Sequence, residues 1–204
     1  MLTFNKDAYH RAISSIGFQN ENYCYKEFIC SEINYISHFL DYLNNEDIDI
    51  LENAYKNKKN KINQEELSKD SLRYLYNALQ NIKKAQLHLL EVLYMPEPAI
   101  WLKAVNNLYE YYVHFISTRK NLRIPSFVEE SFKQIQAKKI EQGLPQLGTL
   151  DAIFIAPVQR FPRYALLSKE LLKVTQSKRQ ESSCEALEVF YEHLLKFHTT
   201  VLEL

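Results

Sequence analysis

The chain has 204 residues, no net formal charge and 46% apolar residues. That supports one sizeable core and disfavours a nucleic-acid binder, which normally carries a strong basic bias. The three glycines, Gly17, Gly143 and Gly148, argue against Gly-rich phosphate loops and tight hairpins, and no apolar run approaches the ~20 residues a membrane span needs.

The N-terminal "MLTFNKDAYHRAISSIGF" lacks the apolar core of a secretory signal. The first helical pattern lies in "YKEFICSEINYISHFLDYL", where Phe28, Ile29, Ile33, Ile36, Leu40 and Leu43 recur at helical steps. "NNEDID" interrupts or re-caps that run before "ILENAY". The basic cluster "KNKKNK" (Lys56 to Lys61) reads as a solvated loop. Ser68, Asp70 and Ser71 offer capping groups for the next run, whose apolar face holds Leu72, Leu75, Leu79, Ile82, Gln86, Leu89 and Leu93. Pro96 and Pro98 stop it, and "AIWLKAVNNLYEYYVHFISTRKNL" follows as a third long run. After Ile124-Pro125, Ser126 is placed to cap "FVEESFKQIQAKKIEQ". "GLPQLG" is a turn, Thr149 caps a helix from Leu150 to about Lys173, and a last run spans about Cys184 to Leu204. With no period-2 strand, the fold class is all-α, a helical bundle.

Bond-making chemistry leaves no mark on this sequence. It has no H-E-x-x-H, no G-x-S-x-G and no P-loop. His193 and His198 lie five apart, on different helix faces, which disfavours a metal pair. Cys24, Cys30 and Cys184 show no C-x-x-C spacing and read as reduced packing thiols. No metal and no cofactor is expected, and the pattern favours a protein that works by binding.

One stretch stands apart. "APVQRFPRYALLSKELLKVT" places Pro157 and Pro162 inside an otherwise helical pattern, where each should break or bend the helix. Ile155, Gln159 and Arg163 are spaced i, i+4, i+8 on one stripe, while Leu150, Phe154, Val158 and Phe161 form another, suited to the core. A mixed apolar, amide and cation stripe has the composition of a protein-contact surface. The competing reading pairs the arginines with carboxylates inside the bundle, with Arg160 the better candidate for that role.

"LDAIFIAPVQRFPRYALLSKELLKVT" resembles the most characteristic segment of the Dbl-homology domain, found in guanine-nucleotide exchange factors for Rho-family GTPases. That family's pattern runs L-x-x-x-L-I-x-P-V-Q-R-x-x-R/K-Y-x-L-L-L-x-E-L-L-K-x-T. "FICSEINYISHFLDYL" resembles the family's first helix, with Ser31-Glu32-Ile33-Asn34-Tyr35-Ile36 on its T-E-x-x-Y-V pattern, and "LYNALQNIKKAQLHLLEVL" and "LYEYYVHFISTRKNL" resemble two further segments. The likeness covers about Tyr23 to Leu204. It implies an elongated bundle of about six helices over residues 21–204, an N-terminal extension over 1–20, and no pleckstrin-homology domain in this chain.

The resemblance also implies a mechanism. Such a factor grips the two switch regions of its GTPase and favours the nucleotide-free state, so that GDP leaves faster. The partner expected is a small GTPase of Rho, Rac or Cdc42 type, with no nucleic acid and at most weak, peripheral membrane contact. On this likeness Glu32 meets switch I, Arg163 meets switch II, and Ile155 and Gln159 touch the GTPase beside it. Pro157, Arg160 and Tyr164 match scaffold positions. A last-helix asparagine that holds switch II in the family corresponds to Thr199 here. That departure opens an alternative: a non-catalytic GTPase-binding or scaffold module with the same fold. The Asn-, Lys-, Ile- and Tyr-rich composition suggests an AT-rich genome, of a lower eukaryote or an intracellular bacterium. The expected setting is the cytoplasm, or the host-cell cytosol for a delivered effector.

Overall fold

The computed structural model describes residues 23–56, 67–93, 98–119, 122–177 and 181–203. Seven α-helices occur among them: α1 (Tyr23–Tyr35), α2 (Asn45–Lys56), α3 (Lys69–Leu93), α4 (Pro98–Arg119), α5 (Ser126–Glu141), α6 (Leu150–Ser177) and α7 (Glu181–Glu203). No strand appears among the described residues; a single bridge, Leu67 N to Arg123 O at 2.7 Å, ties the approach to α3 to the approach to α5. The N-terminal extension and most of the basic cluster lie outside the described residues.

Capping chemistry sets several of the helix starts. Asn44 re-caps the chain ahead of α2 in a reciprocal box: Asp47 N donates to Asn44 Oδ1 at 2.8 Å, and Asn44 N donates to Asp47 Oδ2 at 3.0 Å. Ser68 Oγ accepts from Ser71 N at 3.1 Å, and Thr149 Oγ1 accepts from Ala152 N at 3.2 Å. The Leu150 N–H, free in the first turn of α6, donates to the Glu129 carboxylate of α5. At the end of α5, Gly143 takes φ +82°, so its N–H reaches Ile140 O and the Leu144 N–H reaches Lys139 O. This Schellman closure needs the left-handed conformation that glycine adopts without strain.

Three expectations are revised. Ser126 does not cap α5. The cap is Pro125, whose fixed φ of −60° suits the extended N-cap position and whose carbonyl accepts from Val128 N and Glu129 N, leaving Ser126 as the first helical residue. The first run is not one uninterrupted α-helix. It passes into a π turn over Ile36–Leu40, closed by Asp41 N on Ile36 O at 2.9 Å. Finally, α6 runs unbroken through both prolines to Ser177. Each proline costs roughly 3 kcal/mol in a helix interior. Burial offsets that cost: Leu150, Ile153, Phe154, Phe161, Tyr164 and Leu171 of α6 all lie in the core.

α6 packs against α1, α4 and α7, and α3 packs against α4 and α1. Phe161 sits at the crossing, with its ring 4.8 Å from Tyr112, 5.7 Å from Tyr164 and 6.0 Å from Phe197. To one side α2 joins the bundle by burying Ile48 and Leu51, with charge pairs around them. Arg73 of α3 pairs with Glu52 and Asp49, and Lys139 of α5 reaches Asp47 at 2.7 Å over the Tyr42 ring.

The hydrogen bond from Arg73 holds the Glu52 carboxyl below its ordinary value of 4.5. A depressed folded-state value means that this stabilisation is complete above 4.5 and is lost as pH falls toward and through the folded value. Urea midpoints measured from pH of about 6 down to about 3 should therefore decline at the acid end. Arg73→Gln should flatten that decline and lower neutral-pH stability by about 1 kcal/mol.

Candidate GTPase-binding site

Two helical stripes face one another across α1 and α6. On α1 and the π turn that follows it, Glu27, Cys30, Ser31, Asn34 and His38 recur at i, i+3, i+4, i+7, i+11; on α6, Ala156, Gln159, Arg160 and Arg163 recur at i, i+3, i+4, i+7. Between them lies a groove of about 440 Å³. Arg160 forms its floor. Its guanidinium lies 5.0 Å from the Tyr35 ring centre and 4.8 Å from that of Tyr164, and its Nη1 donates to Ser31 Oγ at 2.9 Å. On the rim, Arg163 Nη2 and Glu27 Oε1 approach to 3.4 Å, with about half of each side chain exposed.

Beneath the floor is a buried polar cluster. Glu32 has no exposed surface. It forms an ion pair with Arg160, and its Oε2 accepts from the Tyr164 hydroxyl at 2.8 Å and from Gln86 Nε2. Gln86 Nε2 also donates to the Tyr164 oxygen, and the Tyr112 hydroxyl donates to that of Tyr35 at 3.2 Å. Burial pushes the phenols of Tyr35, Tyr112 and Tyr164 well up, so all three remain protonated donors across the physiological range.

The α6 stripe is exposed as its spacing predicts: Ile155, Gln159 and Arg163 face solvent, and Leu166 continues the line. Pro157, Arg160 and Tyr164 sit in buried positions, as scaffold residues should. Thr199 is exposed on α7, and its hydroxyl donates back to Leu195 O at 3.0 Å. Three residues separate α6 from α7, so the two helices are antiparallel neighbours, and the Phe161 and Phe197 rings, 6.0 Å apart, mark their register. Thr199 lies two residues beyond Phe197, and Gln159 two residues before Phe161. At about 1.5 Å of rise per residue in each helix this brings Thr199 level with Gln159.

Glu32 departs from the expectation of a partner-facing carboxylate. In this structure it is sealed beneath the groove, where Arg160 and Tyr164 claim it. The carboxylate on the open face is Glu27, which the sequence reading missed. A signal was present: Glu27 shares a stripe with Ser31 and Asn34, whereas Glu32 lies 140° further round the helix, between the core residues Ile29, Ile33 and Ile36.

A family model described as the RhoGEF domain matches residues 24–198. The chain belongs to the RhoGEF family. Membership gives the RhoGEF chain a general function, exchange-factor action on Rho-family GTPases, and a general partner, a small GTPase. A search of curated proteins found no match.

The buried pair of this RhoGEF domain has a measurable consequence. Glu32→Ala strands the Arg160 cation in the core, and removing one partner of a buried pair typically costs about 3–5 kcal/mol. The melting temperature should fall accordingly. Adding Arg160→Met should recover part of the loss, because the double variant buries no unpaired charge. Equal melting temperatures for Glu32→Ala and the parent would show that the pair carries no stability.

Proposed function

We propose that this RhoGEF domain accelerates GDP release from a small GTPase of Rho, Rac or Cdc42 type by holding its switch regions across α1, α6 and α7, in a cytosolic setting. The observation that carries the proposal is the open groove whose rim sets Gln159 and Arg163 opposite Glu27, continuous with the exposed Ile155. Arg163 supplies the cation for switch II. Glu27 supplies the accessible carboxylate for switch I, and Glu32 braces the groove from below. Ile155 and Gln159 add apolar and amide contact.

No bond is made or broken. The domain accelerates release only to the extent that it binds the nucleotide-free GTPase more tightly than the loaded form. The exposed Glu27–Arg163 pair is loose and half solvated, and pairs of that kind are worth roughly 0–1 kcal/mol. Each partner can therefore turn to the GTPase at small cost.

A second reading, a GTPase-binding module without exchange activity, is favoured by Thr199, whose hydroxyl is engaged within its own helix. Release of a fluorescent nucleotide from a panel of Rho-family GTPases separates the two, when read beside binding to the same proteins stripped of nucleotide. Under the main reading at least one GTPase releases nucleotide faster. Arg163→Ala and Glu27→Ala should each slow release about tenfold, as expected for losing one charge-assisted contact of about 1.5 kcal/mol, with the melting temperature unchanged. Binding without acceleration selects the second reading.

A further inference from the structure

A second groove, of about 410 Å³, runs between α3 and α4. Around the bundle α1 packs on α6, α6 on α7, α7 on α4, α4 on α3 and α3 on α1, so this seam and the α1–α6 seam open on different sides. The two helices are antiparallel. The Tyr74 and His114 rings lie 5.5 Å apart, and farther along Trp101 Nε1 donates to Val92 O at 3.1 Å. Asn81 lies seven residues beyond Tyr74 and Asn107 seven before His114, so the two amides stand level across the groove. Ala85 and Ala104, both small, leave room between the helices.

The chemistry of the two walls repeats with one inversion. On α3 it reads Asn81-x-x-Lys84-x-x-x-His88, and on α4 Asn107-x-x-Glu110-x-x-x-His114. Because the helices run in opposite directions, Lys84 stands toward one end of the groove and Glu110 toward the other. Exposed Lys103 of α4, level with Ala85, joins the Lys84 end, and beyond it His88 approaches Glu91 to 3.8 Å. Asn81, Lys84, Asn107 and Glu110 are exposed and have no hydrogen-bond or ion-pair partner among the described residues. The groove is therefore cationic at one end and anionic at the other, with amides between. Tyr74 and Tyr111, 43% and 44% exposed, add aromatic surface of the kind enriched at protein interfaces.

We propose that this face is a self-association surface, and that its occupant is a second copy of this chain, related by a two-fold axis that lies in the interface and crosses the helices. Such an axis turns one copy end for end, so the Lys84–Lys103 end of each groove meets the Glu110 end of the other. One patch then serves both copies, as an isologous contact requires. A partner of one dominant charge would be attracted at one end and repelled at the other. From Tyr74 to His88 the face is about 21 Å long, small for a permanent interface, so the dimer is weak. The α1–α6 groove stays open in it, and the inference does not depend on where a GTPase binds.

Sedimentation equilibrium of the full chain, taken up to about 500 µM to reach a weak association, tests this. The parent should show a reversible monomer–dimer equilibrium. Lys84→Glu and Glu110→Lys should each raise the dimer dissociation constant at least about tenfold, since each sets like charges together at two symmetry-related places. Equal amounts of the two variants, mixed, should form a dimer again, because the facing ends are then complementary. Both variants should keep the parent's melting temperature, since Lys84 and Glu110 are exposed and unpaired within the described chain. A parent that stays monomeric throughout overturns the proposal. So does parent-like association by both variants, which places the contact on another face, and so does a mixture that fails to associate.

Discussion

The structure depends on a carboxylate and a guanidinium buried together. Glu32 of α1 and Arg160 of α6 form an ion pair, and Tyr164 and Gln86 bring α6 and α3 to the same carboxylate. Burying either charge alone would cost several kcal/mol, so the three helices can meet only in arrangements that keep the pair intact. The Tyr35 and Tyr164 rings beside the guanidinium narrow the choice further. This constraint sets the spacing of α1 and α6, and the groove above them inherits its width from it. The same packing holds α6 helical through Pro157 and Pro162, which bracket Arg160 closely in sequence. The helix persists because its side chains are pinned, although its backbone lacks two donors.

A single turn and a half of α6 divides scaffold from surface. Arg160, Phe161 and Tyr164 point into the bundle, while Gln159 and Arg163 face outward. Arg160 and Arg163 are chemically identical and three positions apart, yet they do opposite work. The first is desolvated and matched to a buried acid. The second is half exposed and loosely paired to Glu27 at 3.4 Å. A stiff pair below and a labile pair above suit a protein that must present charge to a partner without reorganising to do so. Preorganisation of this kind lowers the cost of ordering side chains on binding.

The helices were legible in the sequence because their signals are local. Ser68 and Thr149 cap where their positions predict, and the face from Leu72 to Leu93 is buried throughout. Even Gln86, an amide on that apolar face, was a clue, since a buried amide needs a partner and finds two. Spacing put Ile155, Gln159 and Arg163 on one stripe, and its mixed composition pointed to the exposed face where they lie. What could not be read is what depends on distant residues. Glu27 and Glu32 are both glutamates on one amphipathic helix, and the hydroxyl that claims Glu32 lies 132 positions away. Likewise, the continuity of α6 through its prolines is decided by tertiary burial overriding local propensity. The start of α5 was missed by one residue because a proline at the N-cap competes with the serine that follows it.

Exchange by binding alone places a particular demand on such a fold. The domain gains nothing by holding the loaded and the empty GTPase equally well. Contacts that discriminate must therefore sit where the switch regions differ between those states, and the surface that meets them must not yield. A groove built over a desolvated ion pair meets the second condition, since opening it would separate charges in a poorly solvated core. Under the proposed placement of the GTPase the first condition falls to the rim, where exposed groups of different chemistry stand: a carboxylate at Glu27, and an amide and a cation at Gln159 and Arg163. Under the same placement, substitutions on that rim would change selectivity among related GTPases without disturbing the pair beneath.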